Sequence, residues 1–240
     1  MQIRGALLFV LAMATASPAA AALPPAATDS DASALATERK NLDNAFELSR
    51  QGKAAEAEAI FSAVIADYDR KAQPGITYRC AEDSAHALET LIGGIAANPD
   101  KGMVVLGANW CDALFGEGFV LIDLNRASEA EPFLARAVEM APTNAHYLNE
   151  YAEWYKSHHQ WQRAYDLFAH AWDIVDHDKK GRDRKIAARA LRGMGFTQIE
   201  LGNDNDAEKL FKRSLDYEPE KQSAVDGELQ YIRDQRRKAS

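Results

Sequence analysis

The residues best suited to metal or covalent chemistry are six histidines, two cysteines and a plentiful set of carboxylates. His170, Asp173 and His177 fall three and four apart, a spacing that would bring them to one face of a helix. A zinc site needs such ligands preorganised and backed by further hydrogen bonds, and no HExxH or Cys/His box occurs. His158-His159 stands apart from that trio. These histidines therefore read as surface and groove residues, and no metal is expected. Ser84 precedes His86 by two residues, so the two would point to different faces of a helix, with no acid nearby to orient the ring. No GxSxG, phosphate-cradling glycine loop or dinucleotide fingerprint is present, and Gly93-Gly94 reads as a break between helical segments. Carboxylates such as Glu200 and Asp204 fall at ordinary solvated positions. The chain is expected to be no enzyme and to hold no cofactor. Trp154, Trp161 and Trp172 gather with Tyr147, Tyr151, Tyr155 and Tyr165. This is the composition of an aromatic core, with Trp161 placed to be the most exposed.

The ends of the chain bear on the cysteines. MQIR carries one positive charge, the apolar run Ala6 to Ala16 follows, and small residues continue through Ala22. That run is shorter than the ~20 residues a membrane span requires. Residues 1–22 read as a secretory signal cleaved near Ala22 at the Ala20-x-Ala22 site, and 23–36 as a flexible leader. No membrane insertion is expected after cleavage, and the periplasm is the expected location. In an oxidising compartment an even cysteine count favours a disulfide between Cys80 and Cys111. The 28 basic and 36 acidic side chains leave a formal charge of −8, which disfavours nucleic acid as a partner. The basic runs at 179–185 and 236–238 read as solvated ends.

Apolar residues recur at helical spacing from 37 to 237, with little strand alternation. Leu42, Ala45, Phe46 and Leu48 favour one side. After Gly52, Ala57, Ile60, Phe61, Val64 and Ile65 form a second apolar face. Glycine tolerates the positive φ of a tight turn between antiparallel helices. The chain also repeats itself: GFVLIDLNRASEAEPFLARAVEMAP at 118–142 returns as GFTQIELGNDNDAEKLFKRSLDYEP at 195–219, 77 residues later. Helical hairpins of this kind cannot bury their apolar faces alone, and neighbours must stack to do so.

Gly118, Ala130, Ala137 and Pro142 resemble the signature of the tetratricopeptide repeat, as do Gly195, Gly202, Ala207, Phe211 and Pro219. Ala152, Tyr155, Ala164, Phe168 and Ala171 match in a unit beginning 34 residues after the preceding one, which is that family's period. Four units at 38–71, 111–144, 145–178 and 188–221 cover about 136 residues. Asp69 and Asp176 replace the proline expected at two unit ends. Residues 72–110 are a divergent segment expected to be helical, with Met103 to Leu106 either continuing as helix or forming a loop. Lys179 to Ala187 would be a lengthened helix or an exposed excursion, and 222–237 a capping helix. The resemblance implies an all-α fold: a right-handed α-solenoid of stacked hairpins that presents the first helix of each pair on a concave face.

The same resemblance implies a groove. Phe46, Phe119 and Phe196 hold one repeat position, with Phe115, Phe119 and Ile122 continuing one stripe and Phe196 and Ile199 another. Glu153 and Lys156 stand in the intervening unit, and Arg189 and Arg192 precede Phe196. The expected function is a non-enzymatic interaction scaffold of the bacterial envelope that holds a peptide segment or partner helix. The family's carboxylate clamp is not reproduced in the Lys and Asn places. The alternatives are a subunit of an envelope-assembly or enzyme complex, and a glycan-processing enzyme on an α-solenoid.

Overall fold

The computed structural model describes residues 29–99, 101–175 and 177–239. The expected signal at 1–22, residues 23–28 of the leader and Asp176 lie outside these. The chain divides into two compact units, Met1–Ala141 and Pro142–Ser240.

In the first unit, α1 (Asp29–Arg50) and α2 (Ala54–Lys71) form one hairpin, and α4 (Asn109–Asp123) and α5 (Ala127–Met140) form another. Helix α4 packs on α2 and α1, so the hairpins stack although 37 residues separate Lys71 from Asn109. Between them runs β1 (Thr77–Ala81), α3 (Ser84–Ala97) and β2 (Met103–Gly107), with the strands paired in parallel and Thr77 opposite Met103. This corrects two expectations. Of the divergent segment only 84–97 and the first two residues of α4 are helical, and Met103 to Leu106 form a strand. MVVL has the β-branched character of a half-buried strand, and the α3 crossover allows parallel pairing. The leader is corrected as well, because Asp29 to Ala36 already belong to α1. The Thr37 hydroxyl donates to the Ser33 carbonyl and the Asn109 amide to that of Leu35, so α1 is held well before residue 37.

In the second unit, α6 (Ala145–Ser157) pairs with α7 (Trp161–Ile174), and α8 (Arg184–Glu200) with α9 (Asp204–Ser214). Asn144 caps α6 by accepting the amides of His146 and Tyr147. Helix α8 packs on α7 and α6. It begins at Arg184, earlier than the repeat at 188 requires, so the 179–187 excursion is a loop to Asp183 and helix beyond it. A short 3-10 turn, Pro219–Lys221, leads to α10 (Gln222–Ala239). Val225, Leu229 and Ile232 of α10 are buried against Ala207 and Phe211, while its outward residues are largely polar, as befits a terminal cap. No helix among the described residues is long and apolar enough to cross a membrane.

Two glycine positions explain the self-similarity. A Cβ on Gly116 would come within 2.4 Å of the Phe61 ring of the preceding hairpin, and one on Gly193 within 2.4 Å of that of Phe168. Two residues on, Gly118 and Gly195 face their own second helix, where a Cβ would meet Leu134 at 2.7 Å and Phe211 at 3.0 Å. Each G-x-G therefore lets one first helix press on two second helices, one before it and one after it. All four hairpin turns place one residue in left-handed backbone: Gly52, Asn125, His159 and Gly202.

Candidate functional site

In the second unit the first helices of the hairpins, together with the cap, line a cleft of about 310 Å³. Glu153 and Lys156 come from α6, Arg189, Arg192 and Phe196 from α8, and Val225 and Glu228 from α10, with Phe211 also in its wall. Five of the residues expected to line a groove are thus brought together. Their spacing on α8, at 189, 192, 193 and 196, is that of one helical face.

The charged members of the cleft on α6 and α8 are held in pairs. Arg189 forks onto Glu150, Nη2 lying 2.9 Å from Oε2. Lys156 pairs with Glu153, and its ammonium lies 4.9 Å from the centre of the Phe196 ring, a cation–π geometry. Arg192 Nη2 donates to Glu218 at 2.7 Å, and Glu218 is itself buried. The other terminal nitrogen of Arg192 is buried with no acceptor among the described residues. The side chains are therefore preset, so a ligand meets few long side chains that must be ordered on binding.

Phe196 and Ile199 are partly buried against the cluster of Ala207, Phe211, Val225, Leu229 and Ile232. Trp161 lies 6.1 Å from Phe196 and is itself partly buried. Trp154 and Trp172 belong to the interior. The ring of His158 stacks on Trp154 at 3.9 Å and that of His177 on Trp172 at 4.0 Å, each also bonded to the carbonyl of that tryptophan. Both rings thus serve helix ends. Among the described residues no group of three or more His, Cys, Asp or Glu is placed to hold a metal.

In the first unit the stripe separates into two parts. Phe46 packs edge-on to Phe61 at 4.9 Å and lies 6.4 Å from Phe115, which is buried. Phe115 is therefore core, and Phe46 is partly buried beside it. Phe119 and Ile122, one turn further along α4, are each 40% exposed. The Ser84–His86 pair is not joined: the Glu82 amide donates to His86 Nδ1, and the His86 amide donates to Asp83, the cap of α3.

Sequence reasoning passed over Trp110 and Glu117. Trp110 stacks on Tyr68 at 5.0 Å and meets Tyr78 of β1 edge-on at 5.4 Å, with the Arg136 guanidinium 4.7 Å from its ring. Four elements meet on this indole. Burial raises the Tyr68 phenol above its ordinary range, and its hydrogen bond to the Glu38 carboxylate adds to the shift. The Cys80–Cys111 disulfide ties β1 to the first turn of α4, the Cα atoms standing 6.3 Å apart. Glu117 is buried on α4, with Ser62 donating to Oε1 at 2.8 Å and Oε2 without a partner among the described residues. Burial raises its carboxyl above the ordinary value, and the neighbouring Glu58 adds to this, against Ser62 and Arg126. Only the order GEGF, a charge among small residues, marks it in the sequence.

No family model matches the chain, and no curated protein matches it. Solved structures do. PilF of Pseudomonas aeruginosa aligns with a TM-score of 0.55 at 13% identity, over 84% of this chain and 69% of that one. A kinesin light chain of nearly identical TPR-like repeats from Podospora anserina aligns with a TM-score of 0.52 at 12% identity, over 82% of this chain and 89% of that one. At such identity the likeness is one of architecture, and the hairpins, turn positions and glycine contacts described above agree with it. The chain has the fold of the tetratricopeptide-repeat proteins.

Proposed function

We propose that this protein is a non-enzymatic protein–protein interaction scaffold of the bacterial envelope, holding a peptide segment or partner helix against the first helices of its hairpins. The observation that carries this reading is the pair Phe119 and Ile122. Both are large and apolar, both are 40% exposed, and both lie on a helix whose other apolar residues are buried. Adjacent exposed apolar residues of this kind mark contact surfaces more often than single ones do. The cleft of the second unit supplies paired charges around Phe196, suited to fixing the register of a bound segment. The envelope location is supported by the apolar leader with its Ala20-x-Ala22 site and by a disulfide compatible with an oxidising compartment.

Phe119→Ala tests the reading. It should weaken retention of the partner by about 1–3 kcal/mol, the range of an aromatic anchor, and leave the melting temperature nearly unchanged. Unfolding comparable to that of Phe168→Ala would make Phe119 a core residue and remove the proposal. The mature protein recovered from a periplasmic extract should begin near Leu23. Recovery of an intact Met1 chain from the cytoplasm would remove the location.

A further inference from the structure

Helix α3 of the insert is apolar on its packed side and bears exposed aliphatic residues, with Glu89 beside them, on the other. One side, with Ala87, Leu91 and Ile95, packs on the strands around Ala81, Val105 and Met103. The other side carries the two most exposed large aliphatic residues of the described chain, Leu88 at 52% and Ile92 at 60%, one turn apart, with Ala85, Gly93 and Ala96 exposed beside them. Exposed aliphatic residues one turn apart, with the charge of Glu89 beside them, have the composition of a contact face rather than of a fully solvated one. The terminal cap α10, by contrast, is largely polar outward.

The adjacent glycines supply an independent observation. A Cβ on Gly94 would meet the end of the Met103 side chain at 2.2 Å, so Gly94 lets that side chain lie close against the helix. A Cβ on Gly93 would meet nothing within 4 Å. Gly93 therefore weakens the helix relative to alanine with no return inside the chain, whereas an outside element could use it for close approach. The rim decides what kind of element. Glu89 on this helix and Glu82 just before it are exposed, and α3 carries no lysine or arginine. The cations of the insert, Arg79 and Lys101, lie on β1 and beyond the end of α3.

We infer that the outward face of α3 docks an amphipathic helix of a partner protein, with apolar residues laid on Leu88 and Ile92, its backbone close to Gly93, and lysines or arginines facing Glu82 and Glu89. The acidic rim disfavours an anionic membrane surface. It also disfavours a second copy of α3, which would bring like charges together.

The test uses the full protein and two synthetic helical peptides of about 18 residues, long enough for five turns. Both share one leucine stripe, with lysine at the remaining positions in one and glutamate in the other. The lysine peptide should bind at least about tenfold more tightly than the glutamate peptide, a ratio that one well-placed set of charge pairs provides. Gly93→Gln places a side chain in open space, so helicity and melting temperature should hold or rise. It should nevertheless weaken the lysine peptide about tenfold, and Leu88→Gln should do the same. Phe119→Ala should leave this binding intact, which separates the surface from the groove proposed above. Equal binding to wild type and Gly93→Gln, equal binding of the two peptides, or no binding at all would overturn the inference. Concentration-dependent dimerisation lost in Gly93→Gln would also overturn it, by making a second copy the occupant.

Discussion

Phe119 in the first unit and Phe196 in the second occupy the same repeat position, each following the glycine that presses on its own second helix. They end in different surroundings. Phe196 packs against the cluster that includes Val225, Leu229 and Ile232 of the cap, whereas Phe119 stays 40% exposed. The repeat thus sets where a side chain points, and the neighbouring element sets whether it is covered. The same contrast runs through the rest of the two units. The second is a plain stack closed by α10. The first admits an insert between two hairpins that still stack, and anchors it with one disulfide and the contacts of Trp110.

If Trp110 is the anchor of the insert, Trp110→Ala should destabilise the first unit as much as Phe168→Ala does the second, about 3–5 kcal/mol each by urea unfolding. A Trp110→Ala loss under about 1 kcal/mol would show that the insert merely leans on the hairpins. Replacing both Cys80 and Cys111 by serine should cost about 3–4 kcal/mol, from a closed loop with a sequence separation of 31. Reductant should then change the stability of wild type and not that of the double variant. The two phenylalanines differ more finely. Phe196→Ala should cost about 1–3 kcal/mol and Phe119→Ala within about 0.5 kcal/mol, so equal losses would break the comparison.

The buried Glu117 has no acidic counterpart in the second unit, where Met194 holds the equivalent place between Gly193 and Gly195. Its folded carboxyl binds its proton more tightly than the ordinary value of 4.5, chiefly through burial. Between that value and the raised one the folded state holds more protons than the unfolded state, so this group lowers stability as pH rises through the window. Glu117→Gln keeps an acceptor for Ser62 and should remove that fall, giving a flatter profile from pH 4.5 upward in urea titrations. A variant profile parallel to wild type would mean that Glu117 ionises freely.

Much of the fold was legible because hairpin packing leaves small and aromatic residues at fixed spacing. Ala152, Ala164, Phe168 and Ala171 are all buried, as the repeat reading requires. Gly52 and Gly202 turn with positive φ, while Asn125 and His159 reach the same backbone region without a glycine to signal it. The insert was not legible. MVVLG is too short for alternation to separate strand from buried helix, and its partner strand TYRCA lies across α3. The leader misled because Asp29 to Ala36 are rich in Ser, Asp and Ala, and their helical state rests on contacts such as Asn109 to Leu35, far off in sequence. The candidate groove residues were named by repeat position. Which of them would be covered depended on α10 and on aromatic contacts such as Phe46 to Phe115, and position alone does not encode that.

The first helices are the proposed working surface, and a photoreactive phenylalanine analogue placed in the expressed protein tests this most directly. One variant carries the analogue at Phe119. A second carries it at Lys209 on the second helix α9, whose side chain is 76% exposed. Irradiation in intact cells should give a discrete covalent adduct from position 119 and none from position 209. Equal labelling from both positions, or labelling from 209 alone, would show that the first helices are not the contact surface.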